Sequence, residues 1–376
     1  DRVNRVAWMD AFVGNPPFMG MPSVSPTFGN EYRDWLFASQ SGVTGQHDLV
    51  VHFFRRSSDL LGDNGAMGLI STNTIAQGDT RESGLAVILS RGAEIYNALR
   101  SLPWPGDAGV SVSVVHLAFG SIRQAIEKRL LDGIVVEHIN SRLRAGAERD
   151  GPYSLHSNNE CSFQGCVVVG MGFTLTTLER DTLVLADQNN ESRIFPYIGG
   201  EEVNTSPDHS FDRHVINFAQ MPLSEAAAWP ALFAIVEQRV KPERNLAKRD
   251  AHRMNWWRFG DYRPGLFAAI AGLSRVLVTA RTSKHIAFSF QPTGRVFSEN
   301  LFVFPVQCYS FFCTLQSRIH STWVALTSST LEDRQGYRAT DCFETFPFPQ
   351  ADPREVIPPL EDVGERLYTA RAAYMV

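Results

Sequence analysis

Cysteine and long apolar runs are both scarce in this sequence. Its 376 residues include five cysteines, an odd number with no CxxC spacing. A disulfide framework and a zinc knuckle are therefore excluded, and we interpret the cysteines as reduced thiols. Apolar stretches such as residues 165–175 are well short of the roughly 20 residues that a membrane helix needs. Because the first 20 residues also lack a signal-peptide pattern, we predict a cytoplasmic protein with no membrane partner.

The sequence also lacks the compositional bias of disordered, collagen-like or coiled-coil chains. Hydrophobic residues make up 44% and charged residues 20%, which are values typical of globular proteins. At roughly 100–200 residues per domain, the length predicts two to three folded domains. After Arg149 the sequence pattern changes from long periodic segments to short predicted strands and turns. We therefore expect the main domain boundary within residues 141–160.

Charge is distributed unevenly along the chain. The net charge is −5, yet residues 231–300 contain twelve basic and five acidic residues, a net charge of +7 that leaves −12 for the rest. Such asymmetry is typical of a localised phosphate-binding face. A solvated helical face with scattered salt bridges would have the same composition, so the sequence leaves both interpretations open.

The first 140 residues alternate between apolar strands and amphipathic helices. Apolar runs predict strands over residues 8–14, 66–72, 110–119 and 134–140. Helical spacing of apolar residues predicts helices over residues 48–61 and 81–99. This βαβα order predicts an α/β fold with an open, largely parallel sheet covered by helices. Ligands bind at the carboxyl ends of strands in such sheets, so we expect the site after Val13 and Ser71.

The run Asn15-Pro16-Pro17-Phe18 follows the first predicted strand. Its two prolines stiffen the loop and keep its carbonyls out of a helix. Asn15 Oδ1 and the Pro16 carbonyl can each accept a hydrogen bond from the exocyclic amine of a planar base, while Phe18 stacks on the ring. Drawing both amine protons toward acceptors makes the nitrogen nucleophilic, so it can attack a methyl sulfonium donor without a metal or a strong base. An ordinary proline turn after a strand is the alternative interpretation.

Metal and nuclease chemistry have no support in the pattern. His47, His52 and His116 lack the spacing of metal ligands, and we assign them to the core or the surface. A nuclease centre of the PD-(D/E)xK type needs a carboxylate two positions before a lysine. At those positions the chain has Ile126, Arg239, Leu246 and Thr282. Any nuclease activity would therefore need another domain or subunit.

The NPPF run and several later stretches resemble the gamma-class, S-adenosylmethionine-dependent N6-adenine DNA methyltransferases. Within that class, the similarity is to the large methylases of type IIG and type IIL-like restriction-modification and phage-defence systems, and it covers most of the chain. In the catalytic part, residues 48–50 and 65–73 look like the helix start, and the strand with its loop, that follow the motif. Later similar stretches are 195–202, 240–244, 256–259, 316–320 and 342–349.

The resemblance implies an α/β fold in which a partial Rossmann-like methyltransferase sheet is followed by an α+β target-recognition domain. We expect the catalytic part over residues 1–145, the target-recognition domain over residues 146–350 and a C-terminal helical segment over residues 351–376.

The implied reaction transfers a methyl group from S-adenosylmethionine to a flipped adenine of double-stranded DNA at a specific site. Asn15, Pro16, Pro17 and Phe18 match the family's catalytic motif, and Asn15 and Pro16 would also contact the cofactor. The chain could instead be a DNA-specificity module without its own catalysis. Loops of the NPP(Y/F) type also serve enzymes that methylate an RNA base or a protein glutamine amide, so these functions stay open.

In that family, a glycine-rich loop and an acidic ribose ligand hold the cofactor, and both precede the NPPF motif. Only fourteen residues precede Asn15. We therefore expect a fragment that begins just before the motif, has an incomplete cofactor pocket and needs the upstream part of the methyltransferase domain as a partner. Gly170-Met171-Gly172 is a poor substitute for the missing loop, because neither a third glycine nor a helix start follows it. We predict a strand end or a turn there.

Recognition of DNA would need basic side chains in the later part of the chain. The candidates are Lys241, Arg244, Lys248, Arg249, Arg253, Arg281, Lys284 and His285. Arginine can read guanine edges or grip phosphates, and the sequence leaves these roles open. If about six phosphates are neutralised, the slope of log K against log salt should be near −5. We expect Trp256 and Trp257 to lie in the core rather than to stack on a base.

Overall fold

The computed structural model describes residues 9–43, 45–61, 64–104, 110–206, 211–247, 249–328, 330–331 and 334–375. Contacts divide the chain into two compact units, the first ending at Gly151 and the second beginning at Pro152. No helix in the described ranges is long and apolar enough to cross a membrane.

In its described residues, the first unit contains one six-stranded sheet and six α-helices. Its strands are β1 (Ala11–Gly14), β2 (Gly65–Thr72), β3 (Glu94–Pro103), β4 (Ser111–Phe119), β5 (Arg129–Leu131) and β6 (Ile134–Val136). Its helices are α1 (Met21–Phe28), α2 (Asn30–Ser39), α3 (Val50–Leu61), α4 (Gly78–Ser83), α5 (Leu85–Ser90) and α6 (Gly120–Gln124).

The sheet is mixed, so the prediction of a largely parallel sheet was wrong. Its strand order is β1-β2-β4-β3-β5-β6. The β1–β2 and β3–β5 pairs are parallel, whereas the other three pairs are antiparallel. Strand β4 follows β3 along the chain and lies between β2 and β3 in the sheet. It runs antiparallel to both of these neighbours. Strands β1, β2, β3 and β5 still share one direction, so their carboxyl ends meet at one edge.

One face of this sheet is packed against helices. In β2 the residues alternate between buried and half-buried, and Met67 and Leu69 point into the core. Helix α3 meets them with Val50, Phe54 and Leu61, which are all fully buried. The strand and its amphipathic helix were both predicted, and the structure confirms them.

The predicted helix over residues 81–99 was wrong, because the segment contains two short helices followed by β3. Gly92 adopts a left-handed φ of 94°, which ends the helical path after α5. Strand β3 has a register shift after Ile95, and both Ile95 and Ala98 are fully buried. This irregularity puts residues three apart on the same face, a spacing that mimics a helix.

The second unit is built from short strands and helices. Its strands are β7 (Phe163–Gln164), β8 (Thr174–Thr176), β9 (Ile194–Ile198), β10 (Arg213–Ile216), β11 (Arg275–Ala280), β12 (Thr282–Ser283), β13 (Phe288–Pro292), β14 (Val296–Phe297), β15 (Leu301–Phe304), β16 (Thr330–Leu331) and β17 (Arg334–Gly336). Its helices are α7 (Thr177–Ala186), α8 (Gly200–Thr205), α9 (Leu223–Ala226), α10 (Pro230–Arg239), α11 (Lys241–Asn245), α12 (Asp250–Met254), α13 (Pro264–Ile270), α14 (Tyr309–Gln316), α15 (Arg318–Thr327) and α16 (Pro358–Met375).

These strands form three small sheets, which confirms an α+β fold after the methyltransferase-like sheet. The orders are β14-β9-β10-β8, β13-β11-β15-β7 and β12-β17-β16. The long helix α16 packs on α14, where Glu361 accepts hydrogen bonds from the N–H groups of Tyr309 and Ser310 at 2.9 and 2.7 Å. A carboxylate at a helix N-terminus satisfies donors that have no intrahelical partner.

Several local predictions for this unit can be scored. Trp256 and Trp257 are 8% and 7% exposed and lie in the core, as expected. Gly170-Met171-Gly172 forms a turn, since a short 3-10 helix spans Met171–Phe173. Cys161, Cys166 and Cys342 are buried, whereas Cys308 and Cys313 are half-buried, and no two of the five form a disulfide.

Candidate active site and nucleic-acid interface

Residues 15–18, the NPPF loop, continue directly from the carboxyl end of β1. Gly14, the last residue of β1, pairs in register with Leu69 of β2. Asn15 and Pro17 are exposed, whereas Pro16 and Phe18 are half-buried. The Asn15 side chain forms no hydrogen bond with another described residue, so its amide is available to a ligand.

Phe18 meets a second aromatic residue, Trp104, which follows the end of β3. The ring centroids lie 6.3 Å apart and the ring planes are at 84°, an edge-to-face contact. Phe18 also packs against the apolar core beneath the sheet. Sequence reasoning missed Trp104, because it placed the preceding strand inside a helix. With the strand assigned, the rule that sites lie at carboxyl ends would have found it.

A cluster of hydroxyl and amide groups occupies the same edge of the sheet. Asn73 follows β2, and its Oδ1 accepts a hydrogen bond from Ser113 Oγ at 3.0 Å while its Nδ2 donates to Ser101 Oγ at 3.2 Å. Thr72 and Thr74 hydroxyls lie 2.6 Å apart. These hydrogen bonds link residues at the adjoining ends of β2, β3 and β4.

Two histidines of this unit, His47 and His52, lie side by side. His47 and His52 are buried, and their Nε2 atoms are 2.9 Å apart. Burial, together with the neighbouring His47 and Arg55, lowers the pKa of His52 to about 4, so the ring is neutral at pH 7. Within the part of the chain that the structure describes, no three His, Cys, Asp or Glu side chains are grouped as metal ligands.

Arg244 is buried, although the sequence suggested that it contacts DNA. It is 1% exposed, and its Nη2 donates to the carbonyl groups of Val168 and Arg258 at 2.8 and 3.3 Å. Burial lowers the pKa of the guanidinium. Because DNA cannot reach an enclosed side chain, Arg244 serves the interior of the second unit instead.

Lys241 on α11 and Arg253 on α12 lie at the surface, but both are paired with acids. Lys241 Nζ lies 2.7 Å from Glu237 Oε1 and above the Trp256 ring. Arg253 is paired with Asp250. Arg249 is exposed and has no ion pair among the described residues. Lys248 lies outside the described residues.

The remaining candidates lie in a different part of the second unit, near α16. Lys284 and His285 are exposed and line a cleft of about 240 Å³ together with Arg371 of α16. Arg281 is half-buried, and its Nη1 donates to the Glu299 carbonyl at 3.3 Å. No aspartate or glutamate lines this cleft, so its charge is positive.

Comparison with known protein families identifies both halves of the chain. Residues 154–350 match the family described as "MmeI, target recognition domain". Residues 7–131 match the family described as "MmeI, DNA-methyltransferase domain". The recognition-domain match alone covers more than half of the chain.

Individual relatives agree with this match. The chain is 21% identical over 362 residues to DNA methyltransferase A of Bacillus subtilis (strain 168), covering 91% of this chain and 39% of that protein. Its fold matches the structure of the type IIL restriction-modification enzyme MmeI in complex with DNA, with a TM-score of 0.78 and 20% identity over 97% of this chain and 50% of that one. The chain thus spans half or less of the length of these relatives. It belongs to the MmeI family of DNA methyltransferases and carries a methyltransferase domain followed by a target recognition domain.

Proposed function

We propose that this chain carries the base-binding and DNA-reading parts of a site-specific DNA adenine-N6 methyltransferase of a restriction-modification or phage-defence system. The observation that carries the proposal is the NPPF loop, which follows the carboxyl end of β1 in an MmeI-family methyltransferase domain and whose Asn15 amide has no hydrogen-bond partner among the described residues. The second unit would read the DNA sequence, because most of it matches a target recognition domain.

Asn15 and Pro16 would activate the amine of the target adenine. The Asn15 amide oxygen and the Pro16 carbonyl are oxygen acceptors one residue apart, and each can take one N–H of the amine. The nitrogen lone pair would form the new bond to the methyl carbon while the bond from that carbon to the sulfonium sulfur breaks and its electron pair goes to the sulfur, and the surplus proton of the amine would leave to solvent. Preorganised acceptors of this kind stabilise charge that develops during the reaction.

Phe18 and Trp104 would hold the flipped base. Their rings stand nearly perpendicular, so they form two walls of a corner at the edge of the sheet. An adenine that leaves the helix can stack on one ring and contact the other by its edge, which repays part of the cost of unstacking.

S-adenosylmethionine fits the chemistry of this loop at its reacting end. The cofactor supplies a methyl group on a positively charged sulfur, and Asn15 and Pro16 are the residues that would lie beside it. The acceptor set contains no metal ligand and no strong base, which suits transfer to a neutral amine.

The outer edge of β1 fits the upstream part of the methyltransferase domain as a partner. Among the described residues β1 pairs with β2 alone, and Val13 on it is 91% exposed. An exposed strand edge with an apolar side chain favours pairing with another strand. A nuclease, where the system has one, would occupy another domain or subunit.

Methylation of a random DNA library by the natural protein that contains this sequence tests the proposal. With S-adenosylmethionine labelled in its methyl group, we expect label in N6-methyladenine, at one adenine of a defined sequence, when nucleosides are separated by mass spectrometry. Specific DNA binding without methyl transfer would support a specificity module instead. Label in RNA or in protein glutamine would support the corresponding methyltransferase.

The ion pairs of the second unit lead us to expect a weaker salt dependence than the composition implied. Of the candidates, Arg249 and Lys284 are exposed without an ion pair among the described residues, and Arg281 is half-buried. Three phosphate contacts would contribute about −3 to the slope of log K against log salt, rather than −5. The double variant Arg249→Gln, Lys284→Gln should therefore have a slope smaller in magnitude by about 2, measured by fluorescence anisotropy.

Arg253→Gln is the matched control for the salt experiment. Arg253 is exposed but already neutralised by Asp250, so its replacement should leave the slope nearly unchanged. An equal slope for the double variant and the wild type would mean that these basic residues belong to a solvated face and do not contact DNA phosphates.

A further inference from the structure

The chain just after Phe18 is tied to the start of α3. Met19 N–H donates to Asp48 Oδ1 at 3.1 Å. The Met19 carbonyl in turn accepts a hydrogen bond from Leu49 N–H at 2.8 Å. Both polar backbone groups of Met19 are therefore bonded to the segment that precedes α3, and Asp48 supplies the side chain in this contact.

The prolines of the NPPF loop make this attachment important. Pro16 and Pro17 have no backbone N–H, so neither can donate a hydrogen bond that would fix the loop. Met19 is the first residue after Phe18, and a planar peptide joins the two. A displacement of Met19 would therefore move Phe18 directly.

Asp48 is itself firmly held. It is 9% exposed, and the same Oδ1 accepts a second hydrogen bond, from Val50 N–H at 3.0 Å. Its backbone N–H donates to Oγ1 of the buried Thr80 at 3.1 Å. Thr80 belongs to α4, which follows β2, so Asp48 connects the loop after β1 with the helix after β2.

We propose that Asp48 is a positioning residue for methyl transfer: through Met19, its buried carboxylate holds Asn15 and Phe18 in place against the sheet. The inference rests on the proposed function, because it assigns Asp48 a role in that same site. Asp48 does not touch the reacting atoms. It acts by restricting the loop that does, and catalysis by orientation is sensitive to small displacements.

Replacing Asp48 by alanine tests the proposal in the natural protein that contains this sequence. The change leaves Met19 N–H without its acceptor, and we expect the single-turnover methylation rate constant to fall about 10- to 100-fold, since a misplacement of about 1 Å can cost 10²-fold. The dissociation constant for DNA should change little. Asp48→Asn keeps an amide Oδ1 that can accept from the N–H groups of Met19 and Val50, so its rate should lie within about threefold of the wild-type rate.

Asn64→Ala is the matched control. Asn64 Oδ1 accepts a hydrogen bond from Ser121 N–H at 2.9 Å, at the opposite end of β2. The control removes the same kind of side-chain acceptor from a backbone N–H far from the NPPF loop, and its methylation rate should equal that of the wild type. Equal losses in Asn64→Ala and Asp48→Ala, or no recovery in Asp48→Asn, would overturn the positioning role.

Hydrogen–deuterium exchange separates this inference from the proposed function. In Asp48→Ala, the amide of Met19 should exchange about tenfold faster, as expected for the loss of one hydrogen bond, whether or not the protein methylates DNA. Unchanged exchange would refute the anchor. Faster exchange in a protein whose wild type transfers no methyl group would support the anchor while refuting the proposed reaction.

Discussion

Replacing Asn15 by alanine should lower the rate constant of methyl transfer by about 10²–10³, the usual cost of losing one preorganised acceptor in an active site. The Asn15 side chain is exposed and forms no hydrogen bond with another described residue. Its loss should therefore leave the fold intact and act on the chemical step. Single-turnover methylation, with N6-methyladenine measured directly, gives this rate constant.

Two further measurements support the interpretation of Asn15→Ala. Fluorescence anisotropy with the target duplex should give a dissociation constant close to that of the wild type, because Asn15 takes part in the reaction rather than in DNA binding. Asn15→Asp keeps an acceptor oxygen at the same position and should retain more activity than the alanine variant. A methylation rate near the wild-type value for Asn15→Ala would show that Asn15 has no catalytic role.

Phe18→Ala should weaken capture of the flipped base by roughly 1–3 kcal/mol, the range found for loss of one base-stacking side chain. Phe18 forms one wall of the corner with Trp104, and without it a flipped adenine loses its stacking partner. Methylation by the variant should recover in part at high DNA concentration. The DNA dependence of the single-turnover rate would show this recovery.

The partial burial of Phe18 calls for controls on stability. Its ring packs against the apolar core as well as toward the site, so truncation also leaves a cavity and lowers the melting temperature. Phe18→Tyr keeps the ring and should behave like the wild type. Phe28→Ala removes an exposed aromatic, 53% accessible, that lies on α1 away from the core. A loss of activity in Phe28→Ala equal to that in Phe18→Ala would contradict a specific role for Phe18.

The two variants should be distinguishable by kinetics. Asn15→Ala affects an interaction that strengthens in the transition state, so its defect should persist at saturating DNA. Phe18→Ala affects binding of the extruded base, so its defect should shrink as DNA is added. The same defect in both variants would mean that the loop acts as a single mechanical unit.

The sequence by itself determined the parts of the catalytic unit whose signals are local. Strands β2 and β4 and helix α3 lie within two residues of the predicted bounds, because apolar runs and the helical spacing of apolar residues are read from consecutive residues. The order of the NPPF motif and the later recognition domain was also present in the sequence. These features depend on neighbours along the chain, and no distant contact changed them.

Only the tertiary structure decided what depends on distant pairing and on enclosure. The last part of the helix predicted over residues 81–99 is instead the beginning of β3, because β4 supplies a hydrogen-bonding partner and a register shift obscures the two-residue period of the strand. That change brought Trp104 to Phe18. Arg244 has the same charge as Arg249, yet one is buried and the other exposed. Charge is fixed by the residue type, whereas burial depends on segments far away in sequence, and burial decides whether a charge can meet DNA.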